Sequence, residues 1–426
     1  MTVVRPFRAV RYNAERVDLS RVIVPPYDVI AADERAAFFD RDPHNAIRFE
    51  LTRDAADEAD ADYGWIRATL DRWRAEGILV KDEVPAYYVM GQRYTAPGGE
   101  LLERVGFFGE LQLEEYAARI VRPHERTLAG PKADRLKLLR AAEANLSSVF
   151  LLYEDRDDEL GAMLVRALEV APIGRAEHAG VEYRLARLLD PKDVERLRRF
   201  LEVRPSVIAD GHHRYETALE YRRQRCETEG EDPGAPWQST TAYFANAYAP
   251  GSLLLPIHRV VREGAAPSEE EWRKQLPGWT VTRLPDASLD RVEALLEEYL
   301  TPLAGRPAFV AEAAGGPMLL VHRGEPLEDE LMVGLLEREV LRAVFGLDTD
   351  AISGGAVSFP KSARRAAQEI REGQGAVALY LNPMTPDDVF RVTAEGEVMP
   401  QKSTFFYPKI PTGMAFRDHR DAGGAG

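Results

Sequence analysis

The pattern of hydrophobic and polar positions in the first 262 residues alternates between strand-like and helix-like stretches. Runs such as "AYYVMGQRYT" (86–95) and "SSVFLLYE" (147–154) are alternating or continuously apolar, which is typical of strands. The stretch "DRLKLLRAAEANLS" (134–147) instead repeats its apolar residues at helical spacing. Strands and helices are therefore both expected throughout this part of the chain.

A second set of elements begins near residue 265. Ser268 precedes an acidic first turn and predicts the start of a helix over 268–275, followed by the strand "WTVTRL" and further helices and strands. The order lacks the regular strand–helix repeat of an eight-stranded barrel. We predict an α/β fold of mixed α+β type, with a larger domain at 1–262, a smaller α+β domain at 263–415 whose last segment returns to the first, and a disordered tail at 416–426.

Composition and charge limit the possible partners. The chain has 426 residues and a formal net charge of −15, so its surface repels nucleic acid, and no apolar run is long enough to cross a membrane. The first residues lack the apolar stretch of a secretory signal. A single cysteine, Cys226, cannot form an internal disulfide, and a cytoplasmic location is expected.

The stretch "VIADGHHRYETALEYRRQ", residues 207–224, carries the densest candidate chemistry. Its apolar start predicts the end of a buried strand, and the Asp-Gly pair predicts a turn, because glycine accepts a positive φ. Tyr215, Ala218 and Leu219 recur at helical spacing, so a helix is expected to begin near His212. A helix N-terminus presents unpaired N–H groups and about half a positive charge, which favours a bound anion.

Charged side chains strengthen the prediction of an anion site at this turn. Arg214 can hold a phosphate through two hydrogen bonds, and His212 and His213 can donate or shuttle protons near neutral pH. Asp210 could accept a proton, hold a cation or orient a histidine. Two alternatives stay open, namely a surface helix capped by Asp210 and a metal site formed by His212, His213 and Glu216.

A second polar cluster spans residues 121–139 and reads "VRPHERTLAGPKADRLKLL". His124, Glu125, Lys132, Asp134 and Arg135 surround a predicted Gly-Pro turn, as in a loop that covers a site. A solvated loop with a surface Asp/Arg pair is the alternative. Familiar phosphate motifs are absent from the sequence, because neither a P-loop nor a G-x-G-x-x-G after a strand occurs.

In chain order, six segments resemble domain-of-unknown-function family 1015: "VPPYDVI", "RPHERT", "KADRLKLL", "ADGHHRYETAL", "LLLPIHRVV" and "MPQKSTFFYPK". The stretch "DGHHRYETA" is also similar to the second conserved box of the ParB/sulfiredoxin superfamily, which includes free serine kinases that use ADP or ATP. This likeness implies a ParB/sulfiredoxin-like nucleotide-binding core in which Gly211, His212, His213 and Arg214 hold phosphates. It does not identify the catalytic base, for which Glu125 and Glu50 both qualify by residue type.

The function expected from these observations is a nucleotide-dependent phosphotransferase that acts on a small hydroxylated metabolite, with free serine as the first candidate and the direction open. Arg214, Lys132 and Arg135 would bind the phosphates of ADP or ATP, and Mg²⁺ would bridge phosphate oxygens. Glu125 or Asp210 would accept the hydroxyl proton, and His212 or His124 would act as acid or orienting group. The alternatives are a nucleotide-binding switch without turnover and a metal-dependent hydrolase built on His212 and His213.

Overall fold

The computed structural model describes residues 1–53, 61–125, 129–324, 330–400 and 402–421. It divides the chain into two units, Met1–Leu253 together with the residues from Pro408 onward, and Leu254–Tyr407. The second unit is therefore an insertion into the first. The predicted boundary at 262/263 lies later than this division, because residues 259–261 already form a strand in a sheet of the second unit.

Before the insertion, the first unit contains the strands β1 Val4–Arg5, β2 Val10–Tyr12, β3 Leu79–Lys81, β4 Tyr87–Thr95, β5 Leu101–Gln112, β6 Val121–Arg122, β7 Ala144–Asn145, β8 Val149–Tyr153, β9 Pro172–His178, β10 Val181–Leu188, β11 Ser206–Asp210 and β12 Ser239–Asn246. Nine of the described strands form one mixed sheet in the order β6-β11-β8-β12-β5-β4-β10-β9, with β1 paired to β5. Every residue of β8, β11 and β12 is buried. Both faces of the sheet are therefore covered at its centre.

Helices of the first unit are α1 Leu19–Val22, α2 Arg35–Arg41, α3 Ile66–Ala75, α4 Ala129–Ala142, α5 Gly161–Val170, α6 Pro191–Glu202 and α7 His212–Glu229. The Gly-Pro pair predicted as a turn lies within the first turn of α4. Short 3₁₀ turns occupy Tyr27–Val29 and Ala46–Phe49.

The second unit contains the strands β13 Leu253–Leu255, at which the chain enters it, β14 Arg259–Val261, β15 Trp279–Arg283, β16 Ala308–Ala313, β17 Gly316–His322, β18 Val357–Ser358, β19 Val377–Tyr380 and β20 Phe405–Tyr407. Six of them form a sheet in the order β15-β17-β16-β19-β14-β18, whose pairings are antiparallel. Its helices are α8 Glu269–Gln275, α9 Val292–Tyr299, α10 Met332–Leu335, α11 Thr349–Ala351, α12 Ala363–Arg371 and α13 Pro386–Ala394.

Local signals in the sequence explain several of these elements. Ser268 caps α8 through a capping box with Glu271, as its position before an acidic turn predicts. Trp272, Trp279 and Phe309 are buried together in the core of the second unit. The mixed α/β class predicted from the sequence is confirmed by these sheets and helices. In the described part of the chain, no helix combines the length and the apolar character needed to cross a lipid bilayer.

The C-terminal residues of the first unit correct one prediction. The sequence placed residues 416–426 in a disordered tail, but Arg417–Asp418 form a strand, β21, that pairs with β7. Phe416 is buried and its backbone exchanges two hydrogen bonds with Val10. Paired backbone and buried aromatic surface keep this segment in place. Residues 422–426 lie outside the described residues.

Candidate functional site

The turn between β11 and α7 has the geometry that the sequence predicts. Gly211 has a φ of 85°, a backbone conformation that residues with a side chain rarely adopt. A Cβ at this position would lie 2.8 Å from Nε of Arg214. Helix α7 begins at His212, and no side chain caps its N-terminus. Only glycine therefore allows the Arg214 guanidinium to fold back over the turn and leaves the first amides of an 18-residue helix uncapped.

Asp210, the last residue of β11, holds two cations. Its Oδ2 lies 2.7 Å from Nη2 of Arg214, and its Oδ1 forms an ion pair with Nζ of Lys409. The carboxylate is buried, as is the Arg214 side chain. Burial alone would raise the pKa of Asp210, but Lys409 and Arg214 outweigh it and hold that pKa well below its usual value. Asp210 thus faces two positive charges, and Asp28 and Glu50 also act electrostatically on Arg214.

Strand order explains a further contact of Arg214. Because β8 runs antiparallel to β11, the residues before β8 lie beside the end of β11, and Nη1 of Arg214 donates to the carbonyl oxygen of Ser148. Its Nε is buried without a hydrogen-bond acceptor among the described residues. Burial lowers the pKa of Arg214, but Asp210 outweighs this effect and the pKa is raised, so the guanidinium is always charged.

His124 and His212 are brought together by the parallel pairing of β6 and β11, since the ends of parallel strands meet at one edge of a sheet. Their rings lie 4.5 Å apart between centroids, and both residues are buried. The backbone N–H of His124 donates to Nε2 of His212 at 3.2 Å, and Nδ1 of His124 contacts the carbonyl oxygen of Ile208. These bonds fix both imidazole rings.

The protonation of His212 follows from these contacts. Burial, and then the neighbouring His124, lower the pKa of His212 well below its usual value, so the ring is neutral near pH 7. Because Nε2 accepts a hydrogen bond, the single proton is carried by Nδ1. That atom lies 3.5 Å from Oε1 of Glu125, whose side chain is about 30% exposed. Glu125 is thus the carboxylate next to the histidine pair that retains access to solvent.

The other predicted phosphate ligands at this turn differ in their surroundings. His213 is partly buried, and burial lowers its pKa. The charges of Glu125, Glu216 and Asp28 raise the pKa, but burial is the larger effect. Nζ of Lys132 lies 2.9 Å from Oε2 of Glu216, an ion pair between α4 and α7. Lys132 lines a groove of about 1030 Å³ between these helices. Its ammonium group therefore pairs with a carboxylate on α7, whereas Asp210 pairs with Arg214 and Lys409.

Arg135 does not fit the phosphate-binding role expected for it. Its side chain is 3% exposed and contacts Asp134 at 2.5 Å, Glu50 at 3.2 Å and the Tyr63 hydroxyl at 3.0 Å. The guanidinium also lies 4.2 Å from the ring centroid of Tyr27. We correct the expectation on these grounds, because the donors of Arg135 are already used within the protein.

Glu50, one of the candidate bases, is also committed to protein groups. It is completely buried, and its Oε1 accepts hydrogen bonds from the hydroxyls of Ser147, at 2.5 Å, and Thr412. Its Oε2 faces Arg135. A carboxylate with these partners stabilises the segments that it joins. Because both oxygens contact protein donors and the residue is buried, a substrate hydroxyl cannot reach it.

Several predicted segments therefore converge on one region of the first unit. A small pocket that is open to solvent lies beside it, lined among others by Arg135, Ser147, Arg214 and Thr217. Sequence reasoning did not identify Lys409 as the partner of Asp210. The residue lies in the segment "MPQKSTFFYPKIPTG", part of which carries the family resemblance.

Within the described residues, no group of three or more histidine, cysteine, aspartate or glutamate side chains is arranged to hold a metal ion. His212 uses Nε2 for the backbone of His124, so it could offer only Nδ1 to a metal. The adjacent His213 is only partly buried, whereas His212 is buried. The predicted site of His212, His213 and Glu216 is therefore not formed.

Comparison with known families adds one result. The model of a family described as "Protein of unknown function (DUF1015)" matches residues 4–312, which is most of the chain. The chain belongs to the DUF1015 family. This agrees with the resemblance noted in its sequence segments, and every residue of the Asp210 turn lies within the matched range of this DUF1015 protein. No curated protein matches it significantly.

Solved structures similar to the DUF1015 protein share little sequence with it. A free serine kinase crystallised as a point mutant with ADP has 12% identity and a TM-score of 0.37, over 74% of this chain and 93% of that one. SbnI from Staphylococcus aureus has 9% identity and a TM-score of 0.38, over 75% and 90%. A conserved hypothetical protein from Pyrococcus furiosus has 12% and 0.34, over 74% and 97%. Likeness at this level is no argument for a shared function.

Proposed function

We propose that this DUF1015 protein is a nucleotide-dependent phosphotransferase that acts on a small hydroxylated metabolite, with free serine as the first candidate. One observation carries the proposal: Arg214 and Lys409 both contact the buried Asp210 at the uncapped N-terminus of α7. Two cations and the N-terminus of an 18-residue helix lie at this turn, where Asp210, Asp28 and Glu50 oppose part of the positive charge. A phosphate chain is the kind of ligand that such a turn attracts.

The residues present fit a nucleotide on two counts. Gly211 keeps the turn free of a side chain, so backbone amides can approach phosphate oxygens, and Nε of the buried Arg214 lacks an acceptor in the described structure. The amides at the start of α7, Arg214 and Lys409 would hold the phosphates. When bound, ADP or ATP supplies the phosphoryl group that is transferred, and Mg²⁺ would accompany its phosphate oxygens.

Glu125 is the carboxylate best suited to accept the hydroxyl proton of the acceptor. Asp210 is unsuited, because Lys409 and Arg214 hold its pKa low and a weakly basic carboxylate binds a proton poorly. Glu50 is buried among protein donors. Glu125 remains partly exposed and lies beside the Nδ1–H of His212, which orients one carboxylate oxygen. His124 acts indirectly, because its backbone N–H fixes the tautomer of His212.

Lys132 and Arg135 have lesser parts in this proposal than in the sequence-based hypothesis. Arg135 links Glu50 and Asp134 and so supports the floor of the site. Lys132 and His213 lie at the edge of the proposed site, near α4. A ligand that displaced Glu216 from Lys132 would form an ion pair with this lysine. The phosphate-binding set is thus Gly211, Arg214, Lys409 and the first turn of α7, with His213 at its rim.

The experiment is to incubate the purified protein with Mg²⁺, serine, and either ADP or ATP, and to follow phosphoserine by ³¹P NMR and mass spectrometry. Isothermal titration of each nucleotide is run in parallel. Formation of phosphoserine, or of another phosphorylated hydroxy compound from a panel, supports the proposal, and phosphoserine with AMP or ADP tests the reverse direction. Nucleotide binding without turnover would replace it by the switch function, and absence of binding would overturn both.

A further inference from the structure

Arg104 and Gln92 form a buried polar pair inside the first unit. They lie opposite each other on the antiparallel strands β5 and β4, and both are fully buried. Nε and Nη2 of Arg104 donate to Oε1 of Gln92 at 3.1 and 2.5 Å. The guanidinium also lies 4.6 Å from the ring centroid of Phe150. Burying a guanidinium between strands costs free energy, and the hydrogen bonds that it forms must offset this cost.

The pair contacts the backbone of the C-terminal segment at Pro408 and Lys409, and Lys409 is the lysine that pairs with Asp210. Nε2 of Gln92 donates to the carbonyl oxygen of Lys409 at 3.0 Å, and Nη2 of Arg104 donates to the carbonyl oxygen of Pro408. We infer that Gln92 and Arg104 are positioning residues for Lys409, which hold its backbone so that its ammonium group meets Asp210.

The need for such an anchor follows from the nature of lysine. Its four-carbon stem has many rotamers, and ordering it costs conformational entropy. A loosely held backbone would therefore let the ammonium group leave the buried carboxylate. The next anchor lies three residues further on, where Thr412 exchanges backbone hydrogen bonds with Val24. Lys409 itself is held at its own carbonyl by Gln92.

The inference deepens the proposed function, because Lys409 is one of the two cations assigned to phosphate. Its test can be separated from that function, since the chemical reactivity of the Lys409 amine reports its ion pair whether or not a nucleotide binds. A lysine held against a carboxylate reacts slowly with amine reagents, and a released lysine reacts faster.

The experiment is competitive acetylation of the native full chain with a limiting amine reagent, with each lysine quantified by peptide mass spectrometry. Lys132, paired with Glu216 at 2.9 Å, is the internal reference. The test variant is Gln92→Glu, which keeps an oxygen acceptor for Arg104 and removes the donor to Lys409. Loss of one buried hydrogen bond is expected to raise Lys409 labelling relative to Lys132 about fivefold.

Two control variants bracket this result, and a third variant repeats the test. Tyr94→Phe removes a buried hydroxyl on the same strand that donates to the carbonyl of Gly251 at 3.0 Å, and it should leave Lys409 labelling unchanged. Asp210→Asn removes the partner itself and sets the upper limit. Gln92→Met repeats the test without a buried charge, should Gln92→Glu fold poorly.

Unchanged Lys409 labelling in a folded Gln92 variant would overturn the inference, as would an equal rise in Tyr94→Phe. Raised labelling together with a higher nucleotide Kd supports both the anchor and the proposed function. Raised labelling in a protein that binds no nucleotide keeps the anchor and removes the phosphate role of Lys409.

Discussion

Lys409 and Asp210 are 199 residues apart in the chain, yet they form a largely buried ion pair. The lysine arrives on the segment that returns to the first unit after the whole second unit has been inserted. Because Arg214 contacts the other carboxylate oxygen, Asp210 is a bridge between two cations and not a free acid.

Substitution of Arg214 by glutamine should weaken nucleotide binding and also destabilise the fold. Asp210 would keep only Lys409 in a buried site, and breaking a buried pair costs about 3 kcal/mol in the free energy of unfolding. The Kd for ADP or ATP should rise at least about tenfold, because a charge-assisted contact to phosphate is lost. Denaturant titration and calorimetry measure both. Arg223→Gln, an exposed arginine on the same helix, should change neither.

The variant Lys409→Met should lose stability in a pH-dependent manner. The pKa of Asp210 is depressed in the folded state, so the stability that this carboxylate contributes is present above its unfolded pKa of 3.8 and disappears as the pH falls through lower values. The gap in unfolding free energy between wild type and variant should therefore be largest near pH 7 and shrink below pH 4. Lys132→Met, at a more exposed ion pair, should show a small gap throughout. A gap at Lys409 that is independent of pH would contradict the assigned role.

Glu125→Gln tests the proposed base. Turnover should fall at least about 100-fold, which is the usual contribution of general base catalysis, while the nucleotide Kd stays within about twofold. Single-turnover kinetics and calorimetry give the two quantities. Glu220→Gln changes a carboxylate on the exposed part of α7 and is the matched control. Normal turnover in Glu125→Gln would remove this residue from the mechanism.

In the second unit, His258 should make stability depend on pH. Burial and the neighbouring Arg259 lower the pKa of His258 to about 3, and its Nδ1 accepts the N–H of Leu381 at 3.3 Å. The unfolded chain takes up a proton below about pH 6.5 and the native residue does not, so stability present above pH 6.5 is lost as the pH falls toward 3. The slope is about 1.4 kcal/mol per pH unit.

Hydrogen exchange of peptides from 254–407 at pH 7 and pH 5 measures this slope. The variant His258→Gln keeps an acceptor but cannot titrate in this range, so its slope should be smaller. His322→Gln, at the other histidine of the second unit, serves as the control. An equal slope in wild type and His258→Gln would contradict the prediction.

The sequence predicted local features well, because their causes are local. The turn at Gly211 and the start of α7 at His212 follow from glycine's backbone freedom and from helical spacing, and both were found at the expected residues. The capping box at Ser268 is equally local. The pairing of His124 with His212 could not be read from spacing, since it depends on β6 and β11 being parallel neighbours.

Burial is the property that sequence reasoning misjudged. Arg135 and Glu50 look like ligand-binding charges when each is considered alone, but they neutralise each other inside the protein. Their separation of 85 residues gives no signal of this pairing. Phe416 and Arg417 were taken for part of a polar tail because the glycines that follow dominate the local composition, whereas their partners Val10 and Asn145 lie far back in the chain.

The insertion of one unit within the other has a consequence for biosynthesis. A ribosome must add more than 150 residues after β12, the last strand of the nine-stranded sheet in chain order, before it adds Lys409. The nascent chain therefore carries Asp210 and Arg214 for that whole interval without the lysine. Any premature stop within the insertion would release a product that has the arginine but can never acquire the lysine. The two ion pairs of Asp210 are therefore complete only after the whole insertion has been translated.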